Sequence, residues 1–268
     1  LLNAARARPN DAELQAVLGR CLFLTGDTAA AAQALELAAR LDPASQPGRL
    51  WLARCRLASQ RAPEAEMLLR PMLGKGSPDP DVLSTMGKAC VAAGKRIEAV
   101  SYFRDAARIK PSAEAHSDLG FALYVIDKLD DALAEFDAAL AMNSDLVSAI
   151  GGKSMILADR RQPDEARAMI SSALDRGLID TVLATTNARI AKTPEQRAEA
   201  RAVLDRALSR ASVSTPDRYS LQMAMGNLLE AVGEYDAAFD RFRAGNDLIG
   251  AAFNEEATIA ACVERVLA

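Results

Sequence analysis

The sequence predicts an all-α solenoid of stacked antiparallel helix pairs, and three observations carry that prediction. The first is composition: half of the 268 residues are hydrophobic while only 4% are aromatic. The apolar content is therefore largely Ala and Leu, with Ala roughly a fifth of the chain. These are strong helix formers, whereas a sandwich or barrel would draw on Val, Ile, Thr and aromatic residues. The second is a series of small residues, Gly19, Ala53, Gly87, Gly120, Ser154, Ala188 and Gly226, spaced 34, 34, 33, 34, 34 and 38 apart. The third is a pair of companions C-terminal to each of them: a second small residue (Ala31, Ala65, Ala99, Ala132, Ala166, Ala200, Ala238) and, four positions on, a bulky one (Leu35, Leu69, Phe103, Phe136, Ile170, Leu204, Phe242). Small residues on two facing helices let the backbones approach, and the bulky side chain fills the space beside that contact.

Taken in order, residues 1–10 read as the end of a preceding repeat, because Leu1, Ala4 and Pro9 lie 34 residues before Leu35, Ala38 and Pro43. About seven repeats then occupy 12–45, 46–79, 80–112, 113–146, 147–180, 181–214 and 219–253. Within the first, third and last, Gly26, Gly94 and Gly233 supply a left-handed residue for the reversal between helices. Pro43 and Pro111 stand where a second helix must stop. Gly74-Lys75-Gly76-Ser77, followed by Pro78 and Pro80, reads as a solvated loop between the second and third repeats. The fifth and sixth repeats depart most: Ser154 and Ala188 replace the glycine, and Lys153 and Asn187 replace the leucine before it. They are the expected weak point of a structure whose stability is a sum of repeat and neighbour terms. Thr193-Pro194-Glu195-Gln196 reads as a capping box with proline at the first helical position, and Thr215-Pro216 opens the last repeat in the same way. Residues 254–268 form an amphipathic segment with Ile259, Val263, Val266 and Leu267 on one face, expected to cap the stack or connect it onward.

Several function classes fall away. A net charge of −4 offers no basic field for a phosphate backbone, so no nucleic acid is expected. No uncharged apolar run approaches the ~18 residues of a membrane span. Cys21, Cys55, Cys90 and Cys262 form no C-x-x-C pair, and with the single histidine, His116, they predict neither a metal site nor a cofactor. They read as buried free thiols of a cytoplasmic chain. Gly151-Gly152-Lys153-Ser154 has the tail of a phosphate-binding loop, but Val147 stands where its first glycine belongs and no strand precedes it. His116 reads as a partly exposed helical residue with no acid or thiol at nucleophile spacing. No catalytic residue emerges.

The pattern resembles the tetratricopeptide repeat (TPR) family. Leu18-Gly19 through Pro43, and above all Met86-Gly87, Ala99, Phe103 and Pro111, match its Leu-Gly, Ala-x3-Phe and Pro signature. The resemblance implies a right-handed solenoid and a non-catalytic scaffold that binds a peptide or partner protein in a concave groove. It places ligand contacts on the first helix of each repeat, at the residue after the small one and three further on. Those candidates are Arg20, Phe23, Arg54, Leu57, Lys88, Val91, Phe121, Tyr124, Met155, Arg189, Lys192 and Asn227. Their types predict a basic lip at Arg20, Arg54 and Lys88, an apolar centre, and a second basic spot at Arg189 and Lys192, suited to acidic and apolar partner residues. The Lys-Asn pair of carboxylate-clamping TPRs is absent, as is an asparagine ladder.

The last repeat carries a narrower resemblance. Gly233-Glu234-Tyr235-Asp236-Ala237-Ala238-Phe239, running into Arg241-Phe242-Arg243-Ala244-Gly245-Asn246, is similar to the repeat that precedes the catalytic domain in bacterial TPR-sulfotransferase fusions. This implies an alternative role as the recognition arm of a larger sulfotransferase.

Overall fold

A computed structural model describes residues 8–74, 79–210 and 213–248. Among them are fourteen α-helices and no strand. In order they are α1 (Ala12–Leu24), α2 (Thr28–Leu41), α3 (Gln46–Ala58), α4 (Ala62–Leu69, continued by a short 3-10 turn, Arg70–Met72), α5 (Pro80–Ala92), α6 (Arg96–Ile109) and α7 (Ala113–Val125). The series continues with α8 (Leu129–Met142), α9 (Val147–Asp159), α10 (Pro163–Asp175), α11 (Thr181–Ile190), α12 (Pro194–Leu208), α13 (Thr215–Glu230) and α14 (Tyr235–Leu248). The chain divides into two compact units, Leu1–Ile156 and Leu157–Ala268. Leu1, Ala4, the loop residues Lys75 to Pro78, Cys262 and the segment 254–268 lie outside the described residues.

The small-against-bulky register is visible atom by atom. Leu35, Leu69, Phe136, Ile170 and Leu204 are all fully buried. A methyl group on Gly87 would lie 2.8 Å from the Phe103 ring, and one on Gly120 would lie 2.8 Å from that of Phe136. Phe136 has a second glycine against it: a methyl on Gly152 would come closer than 3.0 Å to three of its ring atoms. The Gly151–Ser154 segment is thus the interior of α9, packed on α8, and not a phosphate-binding loop.

Most reversals within a pair end the first helix in the same way. The backbone N–H of Asp27, Arg61, Lys95, Lys128, Gln162 and Glu234 donates to the carbonyl five residues earlier, which closes the helix end around a left-handed residue. Gly26, Gly94 and Gly233 fill that position with φ of 92°, 76° and 83°. Gln60, Asp127 and Arg161 occupy the same position in other pairs at φ near 60°, where a side chain is strained. The α11–α12 reversal differs: Ala191 is extended, and Thr193 and Gln196 form the full capping box. At the last pair the cap is Ser214, which accepts from the Asp217 N–H, so Thr215 is the first helical residue and not the cap.

Polar side chains tie successive pairs. In the first unit, Glu66 on α4, which is 7% exposed, takes both of its oxygens to Lys95 Nζ at 2.8 and 2.6 Å. In the second, Arg201 on α12 grips both oxygens of Glu234 at 3.0 and 3.1 Å. Arg167 on α10 reaches the carbonyl of Ile190 at the end of α11, 2.6 Å away.

In the irregular repeats the buried Ser154 Oγ and Asn187 Nδ2 have no hydrogen-bond partner among the described residues, and neither do Arg167 Nη1 and Arg197 Nε. Ser154 stands at the small-residue position and Asn187 at the position before it, where the regular repeats place Gly or Ala and Leu or Met respectively.

Candidate peptide-binding surface

In the first unit the candidate residues lie on α1, α3, α5, α7 and α9. Arg20 is exposed and has no ion pair among the described residues. Phe23 meets Trp51 edge-on, with ring centroids 5.8 Å apart. Arg54 stacks on the other partner of that contact, 4.6 Å from the Trp51 centroid, and its Nε donates to Thr85 Oγ1 at 3.4 Å. Lys88 Nζ sits 2.9 Å from Asp118 Oδ2, which also accepts from Ser84 Oγ at 3.1 Å. The expected row of three equivalent cations therefore resolves into one solvated charge, one stacked guanidinium and one ion pair.

Lys88, Val91 and Phe121 come together. They line an open cleft of about 260 Å³ between α5 and α7, with Phe103 and Ala122 contributing apolar wall and Asp118 an acid. Phe121 is held by an edge contact to Phe136, centroids 5.0 Å apart. Leu57 and Tyr124 are half-buried against the core, and Met155 is half-buried on α9. At the C-terminal ends of these helices Leu24, Val91 and Val125 remain 68%, 42% and 38% exposed. This leaves uncovered apolar surface beside Phe23, Leu57 and Tyr124.

In the second unit a larger cleft of about 490 Å³ lies between α11 and α13. Arg189 and Asn227 line it, together with Thr185, Met223, Ala224 and Leu228. Arg189 Nη1 is 2.6 Å from Asp159 Oδ1. Lys192 lies just past the end of α11, is exposed, and is not among the residues that line this cleft. Arg197, which is not among the residues expected from the sequence, enters the same cleft from α12. Trp51 and Asp118 are likewise outside that set. Each lies three positions before a candidate on the same helix face, and this spacing could have flagged them.

The remaining features carry no chemistry of their own. His116 Nδ1 lies 2.6 Å from Glu135 Oε2, so the histidine does face an acid, one that joins α7 to α8. Burial pushes the Cys55 and Cys90 thiols up to about 11, which keeps them protonated near neutrality. No cluster of three or more metal-ligating side chains occurs among the described residues, and no described helix is long and apolar enough to cross a membrane.

Comparison with known proteins agrees with this architecture. Residues 22–89 and 85–146 each match a tetratricopeptide repeat model. A TPR protein from Parabacteroides merdae superposes with a TM-score of 0.66 at 18% identity, covering 96% of this chain and 99% of that one. The Cut9–Hcn1 hetero-tetramer of APC/C gives 0.66 at 15% identity over 90% of this chain, which spans about half, 47%, of that chain's length. PilF of Pseudomonas aeruginosa gives 0.59 at 21% identity, covering 75% of this chain and 92% of that one. No curated protein sequence matches the chain significantly. Residues 22–146 thus carry tetratricopeptide repeats, and the chain has the all-α TPR-type solenoid fold built from antiparallel helix pairs.

Proposed function

We propose that the chain is a non-catalytic, cytoplasmic scaffold that binds a peptide or partner protein with acidic and apolar residues on the first-helix faces of its TPR pairs. The observation that supports it most is the convergence of Lys88, Val91 and Phe121 on one open cleft, beside exposed Val125. Such a surface combines an apolar anchor site with polar rim groups, the composition of a peptide-binding groove. The test is selection of short displayed peptides against the chain, followed by affinity measurement with Val91→Glu and Arg20→Glu. A charged residue in the apolar cleft should weaken binding by about tenfold or more; selected peptides that bind both variants as tightly as the parent would refute the reading.

The segment Gly233–Asn246 supports the second reading, in which the repeats are the recognition arm of a sulfotransferase. Its test is the genomic sequence beyond Ala268. A strand leading into a Pro-Arg-Ser-Gly-Thr-like loop supports it, and any other continuation removes it.

A further inference from the structure

The cleft between α11 and α13 holds one group whose bonding is incomplete. Arg197 enters its wall from the first turn of α12. Its Nη1 donates to the Ala231 carbonyl at 3.3 Å, whereas its Nε is buried and has no acceptor among the described residues. A buried charged donor left without an acceptor bears the desolvation penalty of that group. Nothing around it meets the demand. The neighbouring Arg189 is already paired with Asp159, and no acid is among the described residues that line the cleft. Beside Arg197 the floor is apolar, made by Ala188, Met223, Ala224 and Leu228. At about 490 Å³ the space falls within the range of ligand-binding clefts.

We infer that this cleft is an anchor subsite for an aspartate or glutamate side chain flanked by an apolar residue, presented by an extended segment of a partner protein. The carboxylate accepts from Arg197 Nε in a charge-assisted hydrogen bond, and the flanking side chain covers Met223 and Leu228. The inference rests on the proposed peptide-binding role and narrows it to one residue pair in the partner and one arginine in this chain. Charge complementarity selects the occupant: an apolar segment alone would leave Arg197 Nε unmet and would bury it further.

The experiment uses peptides displayed through their C-termini, so that only side-chain carboxylates are free, and selects them against the whole chain. Enriched sequences are then made as amidated peptides and their affinities measured by fluorescence anisotropy. An acidic residue beside an apolar one should be enriched. Replacing it by its amide, changing Arg197→Gln, or filling the floor with Ala224→Trp should each weaken binding by about tenfold or more. In heteronuclear NMR spectra the Arg197 Nε–H resonance should shift on adding the acidic peptide and stay in place with its amide counterpart. If Arg197→Gln does not fold, as judged by circular dichroism, the amide peptide and Ala224→Trp decide the matter. Enriched peptides that tolerate the amide, or bind Arg197→Gln unchanged, overturn the subsite and leave the general peptide-binding reading standing. A selection that yields no binding peptide overturns both.

Discussion

Replacing Gly152 by Ala tests the packing logic of the fold most directly. The new methyl would lie closer than 3.0 Å to three atoms of the Phe136 ring. That ring is fully buried, is flanked on another side by Gly120 at a similar closeness, and is in edge contact with Phe121. It has little room to move. Overpacking of a filled core costs about 1–3 kcal/mol, while Ala in place of Gly inside a helix recovers about 1 kcal/mol. The net expectation is a loss of roughly 0–2 kcal/mol, in place of the gain of about 1 kcal/mol that helix propensity alone would give. Gly48→Ala is the control, because the nearest atom to its methyl is 3.4 Å away; that variant should match or slightly exceed the parent. Urea unfolding monitored by circular dichroism measures both. A second measurement isolates the cause: combining Gly152→Ala with Phe136→Leu should cost less than the two single changes summed, by about 1 kcal/mol. If Gly152→Ala is instead stabilising by the helix-propensity amount alone, the ring is free to move and the close-approach argument fails.

Other features make predictions of their own. Burial raises the Asp180 carboxyl from 3.8 to about 6, with Asp217 adding to the rise and Arg210 and the backbone N–H groups of Leu183 and Val182 opposing it. The folded state then holds a proton that the unfolded state has released, so Asp180 withdraws up to about 3 kcal/mol of stability as pH rises from about 4 to about 6. Asp180→Asn, which can still cap α11, should be more stable than the parent by about 1–2 kcal/mol at neutral pH and show no gain below the lower limit of that window; equal gains at both pH values would refute it. Gln60→Gly and Arg161→Gly relieve left-handed backbone at φ near 60° and should each stabilise by up to about 1 kcal/mol in thermal melts, after the entropy cost of glycine. Asn187→Leu removes a buried amide whose Nδ2 has no hydrogen-bond partner and should gain about 1–2 kcal/mol, with slower amide exchange in α11 and α12; faster exchange would show that the asparagine is structural.

The parts of the fold written in the sequence are those that packing imposes on single positions. Gly19, Gly87, Gly120 and Gly226 are small because Leu35, Phe103, Phe136 and Phe242 press on them, and such one-to-one demands survive as a spacing. The left-handed turn position is less visible. Its conformation is imposed by the whole helix-ending hydrogen-bond pattern, which holds Gln60, Asp127 and Arg161 there as firmly as it holds glycine. Side-chain pairing across helices is hidden for a different reason. That Lys88 turns to Asp118 and Arg54 lies on Trp51 depends on rotamers chosen among neighbours near and far along the chain, and spacing alone ranks all three lip cations alike. Arg197 went unseen because it belongs to a second helix, the one from which the family pattern expects no ligand contact.

The ties between pairs have a bearing on how such an array can change. Glu66 and Arg201 both stand directly after the second small residue of their repeats, and Lys95 and Glu234 both stand directly after the left-handed glycine of the next pair. The position is shared, yet the polarity is reversed: acid to base at one joint, base to acid at the other. Each joint is therefore keyed to its own neighbour. A recombination that set the last pair directly behind the second would bring Glu66 against Glu234, and the converse exchange would bring Arg201 against Lys95. At these two joints, duplication or grafting of repeats meets a like-charge contact unless the signs match, so charge as well as shape discriminates between neighbours there.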